Sequence, residues 1–131
     1  PWRLALTTDH PNGATFWRYP YLVRLLMDSA FRREAISKLP RAVREQTILR
    51  GIDREYSLNE ICILTRAAPA RMLGLADRGH LGVGACGDVA IYRPDANYEA
   101  MFQAPRYTIK AGEVLVEQGE AVRTVRGEIL K

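Results

Sequence analysis

The residues best suited to chemistry stand together near the start of the chain, in Thr7-Thr8-Asp9-His10-Pro11-Asn12-Gly13. A carboxylate such as Asp9 can bind a metal ion or take up and release a proton. Leu4, Ala5 and Leu6 form a short apolar run before it, and the β-branched Thr7 and Thr8 extend that run. Pro11, Asn12 and Gly13 then impose a turn. The pattern predicts a buried parallel strand with an acid at its C-terminal lip, where barrel enzymes keep their chemistry. The same residues also permit a plainer role, in which Asp9 caps the turn through an Asx hydrogen bond.

The elements that must position this turn follow in order. Phe16, Trp17, Tyr19 and Tyr21 crowd around Pro20, and Leu22, Val23, Leu25 and Leu26 suit a buried helix starting at or just after that proline. The aromatic group reads as packing that pins the loop to its helix. Residues 31–51 are basic, with Arg32, Arg33, Lys38, Arg41, Arg44 and Arg50, and Pro40 divides two helical stripes there. Mixed with Glu34 and Glu45, these charges read as a solvated face, and a nucleic-acid surface would need a denser one-sided patch. Ser57-Leu58-Asn59-Glu60 is a capping box, and Tyr56 with Ile61 makes a hydrophobic staple. Ile61, Leu64, Thr65 and Ala68 form the inward face of that helix. Cys62 beside them reads as a small core residue. Pro69 suits the start of a new short helix and Gly74 its C-terminal cap.

From Arg78 the texture changes to a loop punctuated by Gly79, Gly82, Gly84 and Gly87. Strands are predicted at 88–92, 107–110, 113–117 and 120–123, with Ala111-Gly112 and Gln118-Gly119 as the turns of a small antiparallel meander. The loop leads into a strand and lacks a Gly-Lys-Ser/Thr ending, so it is no phosphate cradle.

The 131 residues are 47% hydrophobic, enough for a real core. No run approaches the ~20 apolar residues of a membrane span. A net charge of +4 permits an anionic partner without arguing for one. Cys62 and Cys86 sit in unlike contexts, and with only His10 and His80 a structural zinc site is not expected. Reduced thiols in the cytoplasm are the default. A chain opening at Pro1 inside a strand, with no initiator Met, is expected to be the C-terminal piece of something longer.

An acid-ended strand, helices, Thr65 with Ala68-Pro69-Ala70, then Gly79, Leu81, Gly84 and Asp88, then Gly112 and Gly119 form a recognisable order. The chain resembles the C-terminal third of an amidohydrolase-superfamily enzyme. That likeness implies an α/β fold, the last strand and helices of a TIM barrel over residues 1–76, followed by a small antiparallel β domain over 77–131 that belongs to a composite β-sandwich. Position 87 is Gly where the pattern prefers Ala. Within the superfamily, Leu6-Thr7-Thr8-Asp9-His10-Pro11-Asn12-Gly13, Arg18-Tyr19-Pro20, Tyr56-Ser57-Leu58, Glu60-Ile61, Thr65-Arg66-Ala67-Ala68-Pro69-Ala70 and Tyr107-Thr108-Ile109-Lys110 are more specific. They resemble the A-subunit family of formylmethanofuran dehydrogenases and of bacterial formyltransferase/hydrolase complexes.

The resemblance implies a binuclear metal site, usually zinc, in which the carboxylate matching Asp9 binds one metal and shuttles a proton. It implies hydrolysis of an N-formyl group, formylmethanofuran going to formate and methanofuran, or the reverse. It also implies a methanofuran-type carrier with an anionic tail and the other subunits of the complex as partners, with no nucleic acid and no membrane. His10 could touch substrate or hydrogen-bond the turn, and Asn12 is comparable. His80 is assigned a surface role. The remaining metal ligands of the superfamily lie on earlier strands, so this chain alone is expected to be inactive. Arg32, Arg33, Arg41, Arg44 and Arg50 are expected to form a basic rim for anion contact or subunit docking.

Two other readings stay open. One keeps the superfamily with a cyclic amide or an N-acyl amino acid as substrate, against which the Thr-Thr-Asp-His-Pro-Asn-Gly block argues. The other makes the chain a basic, non-catalytic interaction module.

Overall fold

Two kinds of segment build the molecule: a helical half, and a β-meander reached through the glycine loop. The structure is a computed structural model that describes residues 1–125. Helix α1 spans Tyr19–Met27, α2 Ser29–Ser37 and α3 Arg41–Gln46, with 3₁₀ turns at Phe16–Arg18 and Ile48–Gly51. Helix α1 starts around Pro20, whose missing N–H costs nothing in a first turn. Asp28 ends α1 and caps α2, its carboxylate accepting from the Phe31 N–H at 2.8 Å. That bond holds the Asp28 carboxyl below its ordinary range, against a smaller opposing effect of burial.

Residues 58–72 run as one helix with a change of winding inside it. Helix α4 is Leu58–Cys62, a π turn occupies Ile63–Ala67, and α5 is Ala68–Met72. The capping box forms as expected, with Ser57 Oγ accepting from Glu60 N–H and the Glu60 carboxylate accepting from Ser57 N–H. Tyr56 packs against the cluster containing Ile61, which completes the staple. Pro69 stands in the first turn of the short α5, as expected, although α5 continues from the π turn without a break. Its ring would press on the Thr65 carbonyl in an α-helix, and the π turn just before it relieves that clash. The released Thr65 carbonyl instead accepts from the Arg66 guanidinium at 3.0 Å. At the far end Gly74, with φ +72°, lets its own N–H reach Arg71 O and the Leu75 N–H reach Ala70 O, a Schellman ending.

The core is small. Val23, Met27 and Ile61 form its centre, and Leu6, Leu26, Tyr56, Tyr98 and Phe102 pack around them. Tyr98 and Phe102 come from α6, Tyr98–Gln103, a helix absent from the strand-only expectation for this region. Its signal lies in the sequence: Asn97 is an N-cap that accepts from Glu99 and Ala100 N–H, and Tyr98, Met101 and Phe102 share one face.

The four strands are β1 Val89–Ile91, β2 Tyr107–Lys110, β3 Glu113–Glu117 and β4 Glu120–Ala121, antiparallel in that spatial order. Both β2–β3 and β3–β4 turns have two successive residues with positive φ, Ala111-Gly112 and Gln118-Gly119, as tight hairpins require. Gly87 has a packing reason as well: a Cβ there would sit 2.9 Å from the Gly112 nitrogen. Asp88 ties the loop to the sheet, accepting from Lys110 Nζ, Arg78 Nη1 and Ala111 N–H. The Lys110 ammonium, with the Ala111 N–H next in weight, holds the Asp88 carboxyl below its usual range.

Three expectations need correction. Residues 4–8 form no strand and join no sheet among the described residues, because a strand forms only against a neighbour and none of the four strands pairs with them. Cys62 is exposed, since one residue beyond the inward Ile61 turns a helical side chain through about 100°. Arg32 is not on a rim. It is 2% exposed, and its guanidinium donates to Leu25 O at 2.7 Å, Leu26 O at 3.2 Å, Ile52 O at 3.2 Å and Arg54 O at 2.8 Å. It gathers the carbonyls at the end of α1 and those leading into the Ser57 cap.

Candidate functional site around Asp9

The Asp9 turn is fixed from below by apolar packing and from within by its own backbone. Leu6 packs on the core cluster and donates its N–H to Leu64 O at 3.2 Å, while Thr8 is buried. Asp9 then takes a left-handed backbone, φ +52°, a conformation aspartate tolerates better than most residues. Thr8 O accepts from Ala14 N–H and Asp9 O from Gly13 N–H, each at 2.8 Å, so the chain folds back over the acid. Gly13 is required for that approach: a Cβ there would lie 2.7 Å from Thr8 O and 3.1 Å from the Asp9 Cβ. The Asp9 N–H donates to Thr7 Oγ1 at 3.1 Å.

The Asx-cap role for Asp9 is not what forms. The turn closes through main-chain carbonyls, and the Asp9 carboxylate takes no hydrogen bond or ion pair from the described residues. It is an exposed acceptor, free to take a proton or a cation. The His10 ring stands edge-on to Phe16, 5.4 Å between centroids, and Phe16 lies 4.3 Å from Trp17. Of the aromatic group expected to pin the loop, Phe16 touches His10 but is 49% exposed, and Trp17, stacked beside it, is 70% exposed. His10 and Asn12 are both exposed beside Asp9 on the same turn. The three polar residues picked from the sequence thus stand on one short turn.

His80 lies elsewhere, on the glycine loop. Gly82 N–H donates to its Nδ1 and its Nε2 meets Ala76 O, both at 3.0 Å, so the ring braces that loop. Beside it, Cys86 donates its thiol proton to Asp77 Oδ2 at 3.0 Å, which pushes the thiol pKa up and makes Cys86 a poor nucleophile. A cavity of about 340 Å³ opens against this loop between Trp2, Arg71 and His80, and another of about 490 Å³ lies against Arg33, Arg44 and Arg50. Asp9 lines neither.

The donor set around Asp9 fits one ligand of a metal centre and not a whole one. Among the described residues no group of three His, Cys, Asp or Glu side chains could hold an ion. A carboxylate with both oxygens free is a suitable single ligand. None of the described helices is long and apolar enough to cross a membrane.

An acid on a rigid turn, a capped helix that packs beneath it, and a glycine loop leading to a meander point to a class of hydrolase, and the chain belongs to the amidohydrolase family, whose model matches residues 1–116. Its sequence is 50% identical over 130 residues to the A subunit of the formyltransferase/hydrolase complex Fhc of Methylorubrum extorquens, covering 99% of this chain and 24% of that protein. It is 39% identical to protein FwdA of Methanocaldococcus jannaschii, covering 98% of this chain and 24% of that one. The crystal structure of the formyltransferase/hydrolase complex FhcABCD of Methylorubrum extorquens with methylofuran contains a chain that superposes with a TM-score of 0.88 at 51% identity, over 94% of this chain and 22% of the other. The chain therefore spans about a quarter of the length of these relatives.

Proposed function

We propose that this chain is the part of a formyl-hydrolase A subunit that carries the acid–base residue, and that the whole protein cleaves the N-formyl group of a methanofuran-type carrier to formate and the free amine, or runs that reaction backwards. The observation that carries the reading is Asp9: an exposed, unpaired carboxylate on a turn built by Gly13, in a chain half identical to the Fhc protein of that type. Residues 4–8 would be the last strand of a TIM barrel, paired with strands of the whole protein. Residues 1–76 would complete that barrel, and 77–131 would belong to a β domain, with α6 returning to pack on α1; 126–131 lie outside the described residues.

Asp9 would hold a metal ion, zinc by analogy with the family, together with ligands from the rest of the protein. Such ions, in a binuclear centre, would polarise the formyl carbonyl. The chain's own part is proton transfer. The Asp9 carboxylate accepts a proton as water adds to the formyl carbon, then delivers it to the departing amine nitrogen as the C–N bond breaks. A general acid–base group of this kind contributes about 10²–10⁴-fold. His10 and Asn12, on the same turn, would hydrogen-bond the substrate. Partners would be the other subunits of the complex, in the cytoplasm, and the chain alone would be inactive for want of the other ligands.

Formate release by the full-length protein tests the substrate class, with N-formyl methanofuran analogues set against cyclic amides and N-acyl amino acids. Turnover confined to the formyl compounds is expected. Preference for a cyclic amide would transfer the chain to another branch of the same family.

A further inference from the structure

The segment between the Asp9 turn and the helix at 58–72 carries positive charge that its own fold does not use. Within it Lys38 pairs with Glu34 at 2.6 Å and Arg41 with Glu45 at 2.8 Å, while Arg32 donates to four carbonyls. Arg33, Arg44 and Arg50 have no carboxylate partner among the described residues, and all three line the cavity of about 490 Å³. Arg44 and Arg50 each place one N–H on a carbonyl, Ser37 O and Arg44 O, at 3.4 Å. Those bonds are long and leave most of each guanidinium fork for another acceptor. Asp53 is the one acid on the wall and forms no ion pair with them, and Ile36 and Leu49 add an apolar patch. Every lining residue falls between 32 and 53. The walls therefore come from one continuous segment, braced at Arg32, and need no strand from the rest of the protein. The volume lies within the ~300–1,000 Å³ of pockets that hold ligands.

With residues 4–8 as the last barrel strand and 58–72 as the helix that returns beside it, residues 10–57 are the connection between them. Such βα connections usually have about 2–6 residues, and they build the catalytic face of a barrel. A connection this long stands out from that face instead of filling the layer between strands and helices. Two of its elements, α3 and the 3₁₀ turn at Ile48–Gly51, also expose Val43 by 49% and Ile48 by 86%. Arginine beside exposed apolar side chains is the composition of a protein interface. A small free anion would engage the guanidinium groups and leave Val43 and Ile48 in water. We propose that Arg33, Arg44 and Arg50 form a docking pocket for acidic side chains of another subunit, which is thereby seated over the catalytic face. Guanidinium groups grip carboxylates through paired N–H donors, so the pocket selects Asp or Glu on the partner. Lys38 and Arg41, already paired with acids of their own helices, take no part. This rests on the reading of the whole protein as a barrel enzyme that works as one subunit of a complex.

The test uses the full-length protein purified with its partner subunits. Arg44→Lys and Arg50→Lys keep the charge and supply an amine, which a water-soluble carbodiimide couples to a carboxylate in direct contact. Peptide mass spectrometry of the products then names the chain that carried the carboxylate. Links from positions 44 and 50 to an Asp or Glu of another subunit are expected. Links only within the same chain, links to a glutamyl tail of a carrier, or no link at all would each overturn the proposal. Arg44→Gln combined with Arg50→Gln should weaken subunit association about 10- to 100-fold. It should also remove most of the salt dependence of association, since the charges are screened beyond about 8 Å at physiological ionic strength. The kcat of the assembled complex should stay as in the wild type, and unchanged association would overturn the proposal. Should the glutamine variant fail to fold, the lysine replacements still decide, because they retain the charge. The two readings fail separately. Preference for another amide substrate leaves the cross-link result standing, and a cross-link within the chain leaves formyl hydrolysis standing.

Discussion

The helix at residues 58–72 and the turn at residues 9–13 obtain their shapes from different sources. The helix carries its own instructions: Ser57 and Glu60 close its start, Tyr56 staples to Ile61, and Gly74 closes its end. Each of those devices lies within a few residues of the backbone group that it satisfies. The turn closes on itself through Thr8 O, Asp9 O and Thr7 Oγ1 over Gly13, but its place is set by the helical half, through Leu6 on the core and Leu6 N–H on Leu64 O. An element that carries its own caps serves as the base, and the element with a free carboxylate is mounted on it. The Asp9 side chain is thereby left without a structural duty that would compete with chemistry.

The contrast is most exposed at Arg32, a distant group on which the helix start also leans. Its four carbonyl bonds join the end of α1 to residues 52–54 just before the cap. Each buried acceptor left unpaired costs about 1–3 kcal/mol, so Arg32→Leu should destabilise the helical half by roughly 3 kcal/mol or more. Denaturant titration with exchange at residues 25–32 and 52–56 measures it, and a loss below about 1 kcal/mol would mean that water replaces the guanidinium at little cost.

Gly13→Ala is the next largest. It forces a Cβ into Thr8 O and against the Asp9 Cβ. Overpacking of this kind costs about 1–3 kcal/mol, and displacement of the acid should lower kcat in the full-length protein by about 10- to 100-fold. Ser57→Ala probes the same contrast from the other side. Loss of the cap should cost about 1 kcal/mol, seen as faster exchange in residues 58–61, with turnover unchanged.

The smallest effect is the acid response of that same cap. The Arg54 guanidinium, with Ser57 N–H next in weight, lowers the Glu60 pKa from 4.5 to about 2. A carboxylate depressed in the folded state stabilises it above the unfolded pKa and loses that contribution as pH falls through the folded one. Helix protection should therefore decline between about pH 4.5 and about pH 2, and Glu60→Gln should flatten that decline.

The same contrast explains what can be read from the sequence. The capping box, the two positive-φ turns at Ala111-Gly112 and Gln118-Gly119 and the break at Pro40 follow local rules, and all stand as read. Asp9, His10 and Asn12 are also legible as a group, because one turn holds them together. Arg32 escapes such a reading because its partners are carbonyls 6 to 22 residues away, which no charge pattern reports. Residues 4–8 read as a strand from their apolar run and β-branched threonines, yet a strand is a property of its neighbours. The π turn is hidden because Pro69 suits a helix start equally well, and only the diverted Ala68 N–H shows that the helix continues.

If Asp9 moves the proton during formyl hydrolysis, kcat for Asp9→Asn in the full-length protein reports it most directly, taken with metal content and melting temperature. An amide keeps the size of the carboxylate but cannot accept the proton. A fall of about 10²–10⁴-fold in kcat with the fold intact is expected. Near wild-type turnover at full metal occupancy would contradict that role, and would leave Asp9 as the tip of a turn.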